Sequence, residues 1–101
     1  AAKLHQLGNE SGDRVWRMPL INDYIDALES DIADINNTAD KGDYNAGSVT
    51  AALFLEKFVG ERKWVHFDIA GTARSEVDAG ENPKGGTGFG VRLLTTWISS
   101  L

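Results

Sequence analysis

Apolar and polar positions alternate strongly in only one stretch of this chain, Trp64-Val65-His66-Phe67-Asp68-Ile69-Ala70-Gly71. Strand geometry puts Val65, Phe67 and Ile69 on one face and Trp64, His66 and Asp68 on the other. The pattern predicts an internal strand over 64–69 that ends on residues small enough to floor a pocket. Such a strand needs neighbours, and the chain offers none of similar strength. It therefore reads as one strand of a larger sheet.

Elsewhere the spacing is helical. Ala1, Leu4 and Leu7 predict the tail of a helix that begins upstream and stops at Gly8. Asn9 to Asp13 reads as a loop, and Val15 to Met18 as a short extended run closed by Pro19. Asn22 has the side chain of an N-cap for a helix from about Asp23 to Ser30, with Ile21, Ile25, Leu28 and Ile32 on one face. Thr38 to Asn45 is a polar loop. Ser48 to Val59, ended by Gly60, predicts a helix buried on more than one side. Thr72 to Gly88 loses the apolar pattern, and loops of that length in compact domains are usually functional or mobile. A last helix, about Phe89 to Ser99, carries Val91, Leu94, Ile98 and Leu101 on one stripe.

At 101 residues the chain is limited to one domain. A net charge of −5 without any Lys/Arg cluster argues against a nucleic-acid surface and against an acidic membrane surface. With no Cys there is neither a disulfide framework nor a thiolate metal site, which fits a reducing compartment. No run approaches the roughly 20 apolar residues of a membrane span, and no signal-peptide pattern opens the chain. A soluble, cytoplasmic location is expected.

His66 and Asp68 project to one face of the predicted strand and could offer two ligands to a divalent ion. A metal needs a third ligand, and none stands in fixed relation to these two, so a hydrogen-bonded internal pair is the expectation. Gly85, Gly86, Gly88 and Gly90 precede a helix as phosphate-cradling loops do, but lack the P-loop ending and the dinucleotide spacing. Close backbone packing is the reading preferred for them. Ser11, Ser48 and Ser75 have no nucleophile-elbow context. Asp31 and Asp34 form a carboxylate pair of the kind usually solvated. From the residues alone the chain is an α/β segment with no convincing catalytic set.

Five ordered blocks add more: Ser11 to Leu20, Ala33 to Asn37, Ala46 to Leu55, Trp64 to Gly71, and Thr87 to Leu94. Together they closely resemble the C-terminal part of the cytosolic leucyl aminopeptidases, two-metal exopeptidases. The resemblance covers nearly the whole chain. It implies that residues 1–101 are the C-terminal portion of a three-layer α/β/α zinc-exopeptidase-like catalytic domain, helix-rich with one strong central strand. It also implies a homo-hexamer acting on peptide substrates. In that family two divalent ions, Zn²⁺, Mn²⁺ or Mg²⁺, polarise the scissile carbonyl and activate a water.

The family's metal ligands and catalytic Arg lie on motifs absent from these residues. The resemblance therefore implies a segment that binds no metal and is inactive alone. By the family pattern, Thr38 lies on the leaving-residue side of the substrate. Ala70 lines the pocket for the N-terminal side chain, and Ala73 matches a further wall position. Ala73 is small where a larger apolar residue can stand, which implies a roomier pocket. The alternative is a stand-alone, non-enzymatic binding or assembly module on the same half-fold. The sequence upstream of Ala1 would decide between the two.

Overall fold

Gly12, at φ 84, ends the first helix. The computed structural model describes residues 1–39 and 45–101, so much of the polar loop expected over Thr38 to Asn45 lies outside the described residues. Among the described residues three α-helices are formed: α1 (Ala2–Ser11), α2 (Gly47–Glu56) and α3 (Val91–Ser99). Two short strands, β1 (Arg74–Ser75) and β2 (Gly85–Gly86), and a 3₁₀ helix (Asn22–Leu28) complete the description. The backbone divides into two units, Ala1–Arg17 with Phe67–Leu101, and Met18–His66.

In the first unit α1 runs past Gly8, where the apolar pattern placed its end, and takes in Asn9 to Ser11. Gly8 is a packing position. A Cβ there would lie 2.8 Å from the carbonyl oxygen of Asp13 and 3.2 Å from Cγ2 of Val15. The left-handed cap falls instead to Gly12, a conformation that side chains other than glycine disfavour.

The core of this unit joins Leu4 and Leu7 of α1 to Leu93 of α3, with Val15, Phe67 and Trp97 packed around them. That arrangement corrects the expected face of α3. Leu93 is 0% exposed, whereas Val91, Ile98 and Leu101 face outward, Ile98 at 63%. The helix carries two apolar stripes. Leu93 and Trp97, four residues apart, form the one that α1 covers.

Residues 64–69 form no regular element and join no ladder among the described residues. A strand exists through its pairing, and the alternation of these side chains marks only a backbone suited to it. The sheet that is described is smaller and lies elsewhere. β1 and β2 pair antiparallel, Arg74 with Gly86 and Ser75 with Gly85. An isolated bridge joins Ala79 to Asn82. The long stretch Thr72 to Gly88 is thus a folded-back ribbon rather than an open loop. The result is a helix-rich segment with a two-stranded sheet.

In the second unit the helix expected over Asp23 to Ser30 is a 3₁₀ helix that ends at Leu28. Its capping residue is Ile21, extended at φ −110 and ψ 115, and no side-chain cap is made, so Asn22 does not serve as predicted. A three-residue repeat stacks Ile25 against Leu28, and the chain leaves the helix before Ile32, which is 98% exposed. Leu28 packs with Val49 and Leu53 of α2, flanked by Ile25, Ile35 and Phe54. Helix α2 buries Val49, Thr50, Ala52 and Leu53 but leaves Leu55 exposed, so it is less enclosed than its composition predicts. Phe58, just beyond it, is also exposed and sets its ring edge-on to Phe54, with centroids 5.1 Å apart.

Candidate functional site

Helix α3 starts from Gly90, which has no side chain to cap the first turn. Its free N–H groups need an acceptor from elsewhere. Asp13, the residue after the glycine that ends α1, supplies it. Oδ2 of Asp13 accepts from the Gly90 and Leu93 amides, each at 3.1 Å. Oδ1 accepts from Nη2 of Arg92 at 3.1 Å. The carboxylate is 2% exposed, and all its close partners are donors.

Burial alone would push the Asp13 carboxyl up. The Leu93 amide, the Arg92 guanidinium by hydrogen bond and by charge, and the Gly90 amide together outweigh burial and hold it below the usual carboxylate range. Arg92 is shared. It donates to Glu81 at 3.2 Å and 3.4 Å, and these hydrogen bonds, followed by the one to Asp13, hold its charge more firmly than usual. The chain Asp13–Arg92–Glu81 thereby ties the end of α1, the first turn of α3 and the β1–β2 ribbon together.

Beside this network lies a cleft of about 330 Å³, whose walls include Asp13, Gly71, Thr72, Glu81, Thr87 and Arg92. Asp13 and Glu81 are both engaged by Arg92. The cleft therefore holds a satisfied ion network rather than an acid and base poised for proton transfer.

Ala70 and Ala73 stand on one tight turn at the edge of the cleft, though neither is among its walls. Oδ1 of Asp68 accepts the Ala70 amide at 3.0 Å, and the carbonyl of Ile69 accepts the amides of Thr72 and Ala73 at 3.1 Å and 2.8 Å. Ala70 is exposed and Ala73 half-buried. Thr38 is exposed and belongs to the other unit.

Asp68 is exposed and serves its own turn, which replaces the internal His66–Asp68 pair expected from the alternation. The ring of His66 instead neighbours Trp64, with centroids 6.5 Å apart. Among the described residues no group of three or more His, Asp or Glu side chains is arranged to hold a metal ion.

The glycines before α3 also change meaning. A Cβ on Gly85, Gly86, Gly88 or Gly90 would meet nothing within 4 Å, so close packing is not their reason. Three of them hold positive φ, Gly90 at 92, and so turn the ribbon back into the helix.

The Asp13–Arg92–Glu81 network was not singled out from the sequence, although two of its members stand in the recurring blocks. The available signal was a helix start without a capping side chain. Such a start calls for an acceptor from a distant segment, and spacing does not say which acid supplies it.

A segment whose main polar network is structural leaves the class of protein to be fixed by comparison. Residues 1–95 match the model of the cytosol aminopeptidase family, catalytic domain, and the chain belongs to that family. It is 54% identical over 95 residues to a probable cytosol aminopeptidase of Chlorobium phaeobacteroides, covering 93% of this chain and 18% of that protein. It is 49% identical over 98 residues to one from Synechococcus sp. (strain JA-2-3B'a(2-13)), covering 97% and 19%. With one from Trichormus variabilis the identity is 48% over 100 residues, covering 99% and 20%. The chain thus spans about a fifth of the length of these relatives. No helix among the described residues is long and apolar enough to cross a membrane.

Proposed function

We propose that these residues are the C-terminal part of the catalytic domain of a cytosolic, metal-dependent aminopeptidase that removes leucine and other apolar residues from peptide N-termini. The whole enzyme works as a homo-hexamer. Its two divalent ions, Zn²⁺, Mn²⁺ or Mg²⁺, and its catalytic arginine belong to the rest of the polypeptide, and this segment alone is inactive. Its contribution is a wall of the substrate pocket. Ala70 and Ala73 face the substrate's N-terminal side chain, and Thr38 lies toward the leaving residue.

The observation that carries the reading is the Ile69–Ala73 turn. It presents two small side chains on a backbone fixed by three hydrogen bonds of 2.8 to 3.1 Å. Small side chains on a rigid turn leave room for an apolar group without adding a polar demand of their own.

The test replaces the matching segment of the full-length Chlorobium phaeobacteroides relative with residues 1–101. The graft should hydrolyse leucine anilide in the presence of Mn²⁺. Ala73→Met in that graft should reduce kcat/KM on the leucyl substrate about tenfold relative to the alanyl one, because one methylene of mismatch is worth roughly 10- to 200-fold. An unchanged preference would remove Ala73 from the pocket. Metal-dependent hydrolysis by the isolated 101 residues would contradict their inactivity.

A further inference from the structure

The turn that carries Ala70 and Ala73 is fixed at its start by Asp68. Its far end is held by one residue fifteen positions away in sequence. The Thr87 hydroxyl donates to the carbonyl of Thr72 at 2.5 Å and accepts the amide of Phe89 at 3.2 Å. The Thr87 amide donates to the carbonyl of Ala73 at 2.9 Å. A single half-buried side chain therefore uses both its donor and its acceptor. One arm holds the turn, and the other holds the entry to α3.

We propose that Thr87 is a specificity-positioning residue, which sets the depth of the N-terminal side-chain pocket by pinning the Thr72–Ala73 backbone to the root of α3. This rests on the reading of Ala70 and Ala73 as pocket walls. The root of α3 does not yield, because Asp13 anchors the Gly90 and Leu93 amides immediately beyond it. The β1–β2 ladder fixes the next residues, pairing Arg74 with Gly86. Between that ladder and Ile69, Thr87 supplies the turn's remaining hydrogen bonds to other segments among the described residues. Loss of the hydroxyl frees the Thr72 carbonyl and lets the turn carrying Ala70 shift about Ala73, whose carbonyl stays held by the Thr87 amide in each of the variants below.

The experiment uses the full-length graft described above, with N-terminal leucyl and alanyl anilides as the two substrates. Thr87→Val keeps the shape and removes the hydroxyl. It should raise KM for the leucyl substrate and lower its kcat/KM about fivefold relative to the alanyl one, the scale of one lost hydrogen bond. Thr87→Ser restores the hydroxyl and should return the ratio to within about twofold. Thr87→Ala serves as the second variant if the valine form does not fold.

An equal loss on both substrates, or an unchanged ratio, would overturn the positioning role. A shift that Thr87→Ser fails to rescue would do the same. Ala73→Met separates the two claims. If it alters the leucyl-to-alanyl ratio while Thr87→Val does not, the pocket reading stands and the clamp is refuted. If Ala73→Met alters nothing, both fall.

Discussion

The carboxylate of Asp13 accepts the backbone amide of Leu93 at 3.1 Å across a sequence separation of 80 residues. The same oxygen accepts the Gly90 amide, so one side chain supplies the cap that helix α3 lacks. A buried carboxylate with only donors around it does more than close a helix. It also decides which side of α3 lies against α1, because the amide it holds belongs to the one fully buried residue of that helix.

Removing that carboxylate should loosen the start of α3 before anything else. Asp13→Ala leaves the Gly90 and Leu93 amides without an acceptor, a loss of about 2 kcal/mol for a capping acid with buried partners. Native-state hydrogen exchange in the grafted enzyme should show the Leu93 amide exchanging about 30-fold faster. Protection unchanged at Leu93 would mean that the bond contributes nothing.

The same group gives a pH dependence with a definite sign. Its carboxyl is held below the ordinary range in the folded state, so the unfolded chain binds the proton more readily. The stabilisation is complete above the ordinary carboxylate value of about 4 and is lost as pH falls through the lower folded value. Thermal unfolding of the graft and of its Asp13→Asn variant should differ by a constant gap near neutrality. The gap should narrow as pH falls below about 4 and through the lower folded value. A gap that widens on acidification would reverse the assignment.

How far the sequence led depends on which interactions are local. The positions of α2 and α3 were legible because each is an apolar run closed by turn residues. The buried face of α3 was not, because two stripes compete and only the presence of Leu4 and Leu7 chooses Leu93 over Ile98. Gly8 resembled a helix stop because its reason, the nearby Asp13 carbonyl and Val15 methyl, is a tertiary contact. The alternating run at 64–69 shows the same limit, since alternation reports a backbone suited to a sheet and not the sheet itself. In the candidate site, Ala70 and Ala73 came from the family resemblance. The clamp at Thr87 and the network around Asp13 needed coordinates, since their partners lie 15 to 80 residues away.

Glycine substitutions separate the two kinds of signal. Gly8→Ala sets a methyl 2.8 Å from a backbone oxygen and should cost about 1–3 kcal/mol, as overpacking does. Gly47→Ala, at the first position of α2 with open space around it, should instead stabilise by up to about 1 kcal/mol. Unfolding temperatures of the two single variants in the graft should move in opposite directions. A stabilising Gly8→Ala would show that α1 can shift away from the 13–15 segment.

The two stripes of α3 give the last prediction. Leu93 is 0% exposed and packs on Leu4 and Leu7, so Leu93→Ala removes transfer energy and leaves a cavity that α1 cannot fully close. The expected loss is about 3–4 kcal/mol, within the range for buried leucines. Ile98 belongs to the outward stripe and is 63% exposed, so the cost of Ile98→Ala should stay near 0.5 kcal/mol, roughly that of an ordinary surface site. Measured side by side by chemical denaturation, Leu93→Ala must be the costlier of the two. The opposite order would mean that the Val91–Leu94–Ile98 stripe is the buried one, and the packing of Asp13, Leu93 and α1 would have to be redrawn together.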